Sequence, residues 1–317
     1  RILPDPYVTD IGWAITTIHY SCVPDFDYEG ATLGMDGQTK HIEMEIDWDK
    51  THGKAAWGDL FDRSRHVARK KLVYDPDLTL SCCWDIPGCP AFVPSQINHY
   101  GQWLLFPPIT QPESDYISVY EFGQRVANHL QQEYAAKYGL DLEELDLAHY
   151  GDPAGNMKPQ QTAGKRQETR SAFEVLFHGS KVYIGDDAYG RPLYEELPGW
   201  GWNIIGGAVD VKTRIDSVRS RLALTLPGGL SALVVCPDAE AIIAAMVGGY
   251  HFEEYNDGGY SQHPVKNQAS HLANAVEYGC TRLFVKPMSS EKKRRKEGRE
   301  IRGYVSQASS PRGRGYR

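Results

Sequence analysis

No stretch of the chain approaches the ~20 consecutive apolar residues of a membrane-spanning helix. No Gly-rich loop runs into Lys followed by Ser or Thr, so nothing here binds ATP by that device. The start, Arg1-Ile2-Leu3-Pro4-Asp5, has no Met and no signal-peptide pattern, and reads as the cut edge of a longer protein. Cysteine is scarce: there are six, Cys22, Cys82, Cys83, Cys89, Cys236 and Cys280, and no pair has zinc-ribbon spacing. Cys82-Cys83 falls within an apolar run, where inert buried thiols are expected rather than metal ligands. The usage fits a reducing cytoplasm. No internal repeat is present.

Apolar residues make up 41% of the 317 and aromatics 11%, enough for a sizeable core in one large domain with tails. The net charge of −7 is uneven. Lys286 to Arg317 holds eleven Lys/Arg and three Asp/Glu, a balance of +8, which leaves −15 for the rest. An acidic body with a basic tail suggests a tail that meets DNA or an acidic protein surface. The Lys292 to Lys296 cluster by itself reads first as plain solvated charge, with partner binding as the alternative. The tail is Ser/Gly/Arg/Lys-rich from residue 289, a composition that predicts disorder.

Along the chain, Ile15 to Tyr20 is strand-like, and Lys40 to Trp48 alternates as a half-buried strand does. From Leu78 the pattern predicts three strands in an antiparallel meander: Leu78 to Trp84, a second from Ala91, and Gln102 to Phe106. Ser118 with Glu121 forms a capping box, and Val119, Phe122, Val126, Leu130 and Tyr134 recur at helical spacing up to Gly139. A fourth strand, Leu145 to Gly151, follows. Then come a helix over about 167–178, a strand over 181–184, a helix over 214–224, a strand over 232–235, a helix over 238–246 and a last helix over about 267–280. Asp186-Asp187 reads as a loop turn. This order predicts an α/β fold with a mixed central sheet and helices on both faces, its site at the strand ends.

Two apolar strands stop at a carboxylate, the first at Asp85 and the fourth at Asp152. Either alone reads as a turn residue. Two such acids on neighbouring strands, facing a polar side chain from the late helix, suit hard divalent cations such as Mg or Mn. Two ions about 4 Å apart would suit phosphodiester hydrolysis. His271 alone reads as a capping or core histidine. The polar segment 156–170 reads as a mobile loop whose Lys158, Lys165, Arg166 and Arg170 either grip phosphate or are simply solvated.

The motifs Trp84-Asp85, Gly151-Asp152-Pro153-Ala154-Gly155 and Ser270-His271-Leu272-Ala273-Asn274-Ala275-Val276-Glu277-Tyr278, in that order, resemble the nuclease domain of the large terminase subunit of tailed bacteriophages. So do 219–250, and 43–67 as a lead-in from the family's ATPase lobe. The resemblance implies an RNase H-like fold. It divides the chain into 1–40, the end of an ATPase lobe or a linker, 41–285, the nuclease domain, and 286–317, a basic tail. It further implies a two-metal endonuclease that cuts double-stranded concatemeric phage DNA during genome packaging. The portal protein, the small terminase subunit and the ATPase lobe of the same full-length chain would be its partners, in the host cytoplasm. Asp85 and Asp152 match the family's metal-holding acids, and His271 a position that helps at the metal in some relatives.

Position 274 departs from the pattern. The family usually has Asp there, and Asn274 offers a neutral carbonyl oxygen with no charge. Either the site is silenced or another acid serves it; Glu277 stands one turn on, at i+3. The expected set is therefore Asp85, Asp152, Asn274 and His271. Other readings are a catalytically silent DNA- or portal-docking module, or another RNase H-like nuclease of the resolvase or integrase type.

Overall fold

The computed structural model describes residues 54–57, 60–86, 89–111, 117–158, 170–255 and 259–285, with the backbone of two paired dipeptide strands, Tyr7–Val8 and Ala14–Ile15. The alternating segment at 40–48, most of the lead-in, the boundaries at 40 and 286, and the basic tail lie outside the described residues. The described residues up to Leu283 belong to one compact unit.

The meander forms as its alternation predicts. β1 (Leu80–Asp85) pairs antiparallel with β2 (Ala91–Ile97), and β2 with β3 (Trp103–Leu105). α1 (Val119–Leu130) starts at the expected capping box: Glu121 N donates to Ser118 Oγ at 3.2 Å and Ser118 N to Glu121 Oε2 at 2.8 Å. The chain returns as β4 (Leu147–Gly151), parallel to β1 on its free side.

α2 spans Ala172–His178, later than the sequence suggests. A second capping box, Ser171 with Glu174, sets its first turn and so excludes residue 170 from the helix. The expected strand over 181–184 belongs to a longer hairpin, β5 (Gly179–Asp186) and β6 (Pro192–Pro198). Asp187 closes its turn by accepting from Tyr189 N and Arg191 N, both at 2.9 Å. β7 (Ile204–Gly206) then pairs parallel with β4. α3 (Val211–Ala223), β8 (Leu233–Val235), α4 (Glu240–Ala244) and, after a hairpin of His251–Glu254 and Tyr260–Pro264, α5 (Gln268–Phe284) follow, and β8 lies parallel to β3.

The sheet order is β7-β4-β1-β2-β3-β8, in which β2 alone of these six runs against the others. Leaving β8 aside, a three-strand meander with two strands added in parallel beside the first is the RNase H-like arrangement. The strand-end acids thus fall on neighbouring central strands, as expected.

Period-two alternation divides β1 between two layers. Leu80, Cys82 and Trp84 face α1 and α2, packing with Phe122, Val126, Leu130 and Leu176 in the main core. Burying each such side chain contributes about 1.5–3 kcal/mol. Cys83 and Asp85 face α5 instead. There the helix sits so close that a Cβ on Gly279 would overlap the Cys83 sulfur. Burial pushes the Cys83 thiol up to about 12, so it is an inert packing group, as the sequence suggests.

Behind the site, Trp84 lies against Phe92, Trp202 and His149, and its indole N–H donates to His149 Nδ1 at 3.1 Å. Burial holds His149 down at about 3, against 6.5 when unfolded. The unfolded chain therefore binds a proton on acidification that the folded chain refuses. Stability falls as pH drops below 6.5, with a slope of up to about 1.4 kcal/mol per pH unit from this residue. Urea midpoints at pH 7 and pH 5 are expected to differ less in His149→Gln than in the wild type. Equal differences would remove His149 from the acid response.

Candidate functional site

β1 and β4 end at one level. Trp84 pairs with Gly151, so Asp85 and Asp152 follow side by side in parallel register at the same edge of the sheet. Adjacent strands are about 4.8 Å apart. Asp85 is buried, 4% exposed. His271 Nδ1 lies 2.8 Å from its Oδ2, and Asn274 Nδ2 donates to the same oxygen at 3.4 Å. Both come from α5, three residues apart on the face it turns to the sheet. A carboxylate only accepts, so His271 carries a hydrogen on Nδ1 and its Nε2 points away from this contact. The His271 side chain is 21% exposed, which gives this cluster an opening to solvent.

Asp152 has a local duty as well. Its Oδ1 accepts from Ala154 N at 2.9 Å and caps the single turn Pro153–Asn156, with Pro at the first helical position. The turn reading and the site reading of this residue are thus compatible, since capping engages one carboxylate oxygen.

A second layer lies beneath. Tyr278 sits near both acids: burial raises its phenol, and the Asp152 and Asp85 charges raise it further, against the pull of Arg214. The Arg214 guanidinium stands over the Tyr278 ring, 4.5 Å from its centroid. Glu277 is wholly buried with Arg214 Nε 3.7 Å from its Oε2. Burial lifts the Glu277 carboxyl to about 8; Asp85 adds to the rise, while Arg214 and Tyr250 oppose it.

Of the four expected site residues, Asp85, His271 and Asn274 meet, and Asp152 stands on the neighbouring strand end. Asn274 turns its amide nitrogen, not its carbonyl oxygen, to Asp85, because the ionised acid accepts and does not donate. Among the described residues, no three His, Cys, Asp or Glu side chains stand close enough together to hold a metal as they are. The donors fit a hard cation in kind, being two carboxylates, an imidazole and an amide, but with one charge fewer than three acids would give.

Among the loop cations, Arg170 donates through Nη1 to the Gly179 carbonyl at 2.6 Å. Lys158 is exposed, 3.4 Å from Glu174. Lys165 and Arg166 lie outside the described residues.

Sequence reasoning passed over Arg214 and Tyr278. Arg214 stands in line with Val218 and Leu222, a charge within the apolar stripe of α3, and that break in the stripe was the available signal. Tyr278, at i+7 from His271, shares the helix face of the motif.

No protein-family model matches the chain, and no curated protein does. Among solved structures it is similar to the large terminase from a thermophilic bacteriophage, at 13% identity and a TM-score of 0.48 over 82% of this chain and 52% of that one. It is also similar to the g2p (large terminase) nuclease domain from the bacteriophage SPP1 with bound Mn, at 13% identity and a TM-score of 0.39, covering 68% of this chain and 95% of that one. The chain spans about half the length of the thermophilic phage's terminase, 52%.

The charge at 274 is directly testable. In Asn274→Asp the donor to Asp85 is lost and a like charge takes its place, at a cost of about 1–3 kcal/mol. The variant is expected to melt below the wild type in chelator and to gain more on adding Mn, because a cation bound only by the folded state restores it. Identical melting curves in both conditions would take position 274 out of the site.

Proposed function

We propose that this chain is the nuclease part of a phage large terminase subunit, a metal-dependent endonuclease that cuts double-stranded DNA during genome packaging. The observation that carries the reading is the pairing of Asp85 and Asp152 at adjacent strand ends beneath His271 and Asn274. The order of the three motifs in the sequence supports the substrate. On this reading the chain acts in the host cytoplasm beside the portal protein, the small subunit and the ATPase lobe, with 41–285 as the nuclease domain.

Asp85 and Asp152 would hold Mg or Mn, with His271 and Asn274 beside them. When bound, such a cation supplies Lewis acidity for activating water and stabilising the leaving 3′ oxygen of the phosphodiester. The chain's own contribution is orientation. His271 and Asn274 fix the Asp85 carboxylate by two hydrogen bonds to one oxygen, and the Ala154 amide fixes Asp152. Trp84, Cys83 and Gly151 behind the acids are buried, which excludes water from that side. Phosphate contacts by Lys158, Lys165, Arg166 and Arg170 would position the duplex without reading its bases.

The neutral side chain at 274, with no three-acid cluster among the described residues, favours a second reading: a silent module that docks DNA or the portal. Cleavage of linear plasmid DNA in Mn separates the two. The wild type is expected to cut, and Asp85→Asn, which keeps the shape and removes the charge, is expected to cut at least about 100-fold more slowly. Its circular dichroism should remain that of the wild type. A wild type that binds DNA and never cuts it supports the silent module; equal cutting by both proteins removes Asp85 from the chemistry.

A further inference from the structure

The charged layer beneath the strand-end acids has no part in the site as drawn above. Glu277 and Arg214 are both buried, with side chains 0% and 6% exposed. Their nearest approach is 3.7 Å. The Tyr250 hydroxyl reaches the Glu277 carboxyl, while Nε and Nη1 of Arg214 have no protein hydrogen-bond partner. An ion pair kept for stability needs the opposite geometry. Desolvating two charges is recovered only when they meet closely and hydrogen bonds satisfy what remains. Here the guanidinium is steadied by the Tyr278 ring at 4.5 Å, and the Glu277 carboxyl is held by the Tyr250 hydroxyl rather than by Arg214.

Glu277 also stands where a charge is missing. It lies one helical turn beyond Asn274, the neutral residue whose amide reaches Asp85. The Asp85 charge acts on it directly. Glu277 is thus a third acid near the two strand ends, and a cation held there would offset the repulsion between it and Asp85.

We infer that Glu277 is the third acid of the site: it rests loosely against Arg214 in the metal-free protein and turns to a divalent cation held by Asp85 and Asp152. Arg214 stays on the Tyr278 ring when its partner leaves, so the buried cation is not stranded. The loose contact suits an exchange of partners, because no close hydrogen bond to Arg214 has to break and only the Tyr250 hydroxyl has to be released. This inference rests on reading Asp85 and Asp152 as cation ligands.

The test is Mn2+ binding followed by calorimetry and by the electron paramagnetic resonance of free Mn2+, with melting temperatures in chelator alongside. The wild type, Asp85→Asn, Glu277→Gln and Glu277→Asp are compared. Glu277→Asp keeps a carboxyl group beside Arg214 and shortens its reach by one methylene. It is expected to keep the melting temperature in chelator and to bind Mn2+ at least tenfold more weakly, or with one ion fewer. Glu277→Gln should show the same loss of Mn2+ binding. If either variant folds and binds Mn2+ as the wild type does, the pair is a structural contact and the inference fails, with the Asp85 and Asp152 reading untouched. If the wild type takes up no Mn2+, or Asp85→Asn takes up as much, the reading of the two aspartates fails first and this inference with it.

Discussion

The seating of α5 on β1 is the constraint on which the site depends. Close packing at Gly279 brings the helix down onto Cys83 with no side chain between them. The helix rises about 1.5 Å per residue, so His271 lies roughly 12 Å back along it. On β1, Asp85 is two residues on from Cys83, about 7 Å. The first turns of α5 therefore come over the end of the strand, and His271 and Asn274 reach one oxygen of Asp85. The N-terminal end of the helix dipole also lies near the acids, which favours negative charge there. The far end is tied as well: Arg282 donates to the Gly206 carbonyl, and Ala208 N to Thr281 Oγ1. α5 thereby also fixes the β7 side of the sheet, next to the strand that ends at Asp152.

The neutral amide at 274 suits that geometry. A buried carboxylate beside another acid is stable when its oxygens find donors, and Asn274 and His271 both provide one. The arrangement is satisfied without any cation, which a third acid at this position would not be. On the inferred reading, the acid absent at 274 is supplied one turn deeper, at Glu277, where an arginine is already present. On that reading, stability of the fold and affinity for a cation are in opposition at these positions, a common trade at functional sites.

How much of this was legible beforehand follows from the kind of signal each part leaves. Asp85 and Asp152 were legible because each ends an apolar run, and alternation then places both on one face of the sheet. The start of α1 was legible from Ser118 and Glu121, a local device that needs no tertiary context. β7 was not: its three residues, Ile204-Ile205-Gly206, are too few to show a period, and its pairing is made entirely by β4. β6 was hidden because Glu195 and Glu196 make it polar, and its partner strand is exposed too. The contact of Arg214 with Glu277 joins residues 63 apart in sequence, and only the packing of α3 against α5 creates it. Long-range polar contacts of this kind leave no local pattern.

The β5–β6 hairpin leaves the body through a narrow neck. Gly179 and Gly199 lie back to back there, and a Cβ on either would collide with the backbone of the other limb. Beyond the neck both strands are mostly exposed, with Ile184 and Tyr189 among the most open apolar side chains in the described chain. The hairpin's length is therefore uncoupled from the geometry of the acids. Residues gained or lost past the neck leave the β4–β7 register and the turn at Asp152 as they are. Insertions, deletions and changes of surface chemistry can accumulate in this arm, while at positions 179 and 199 any residue larger than glycine is excluded.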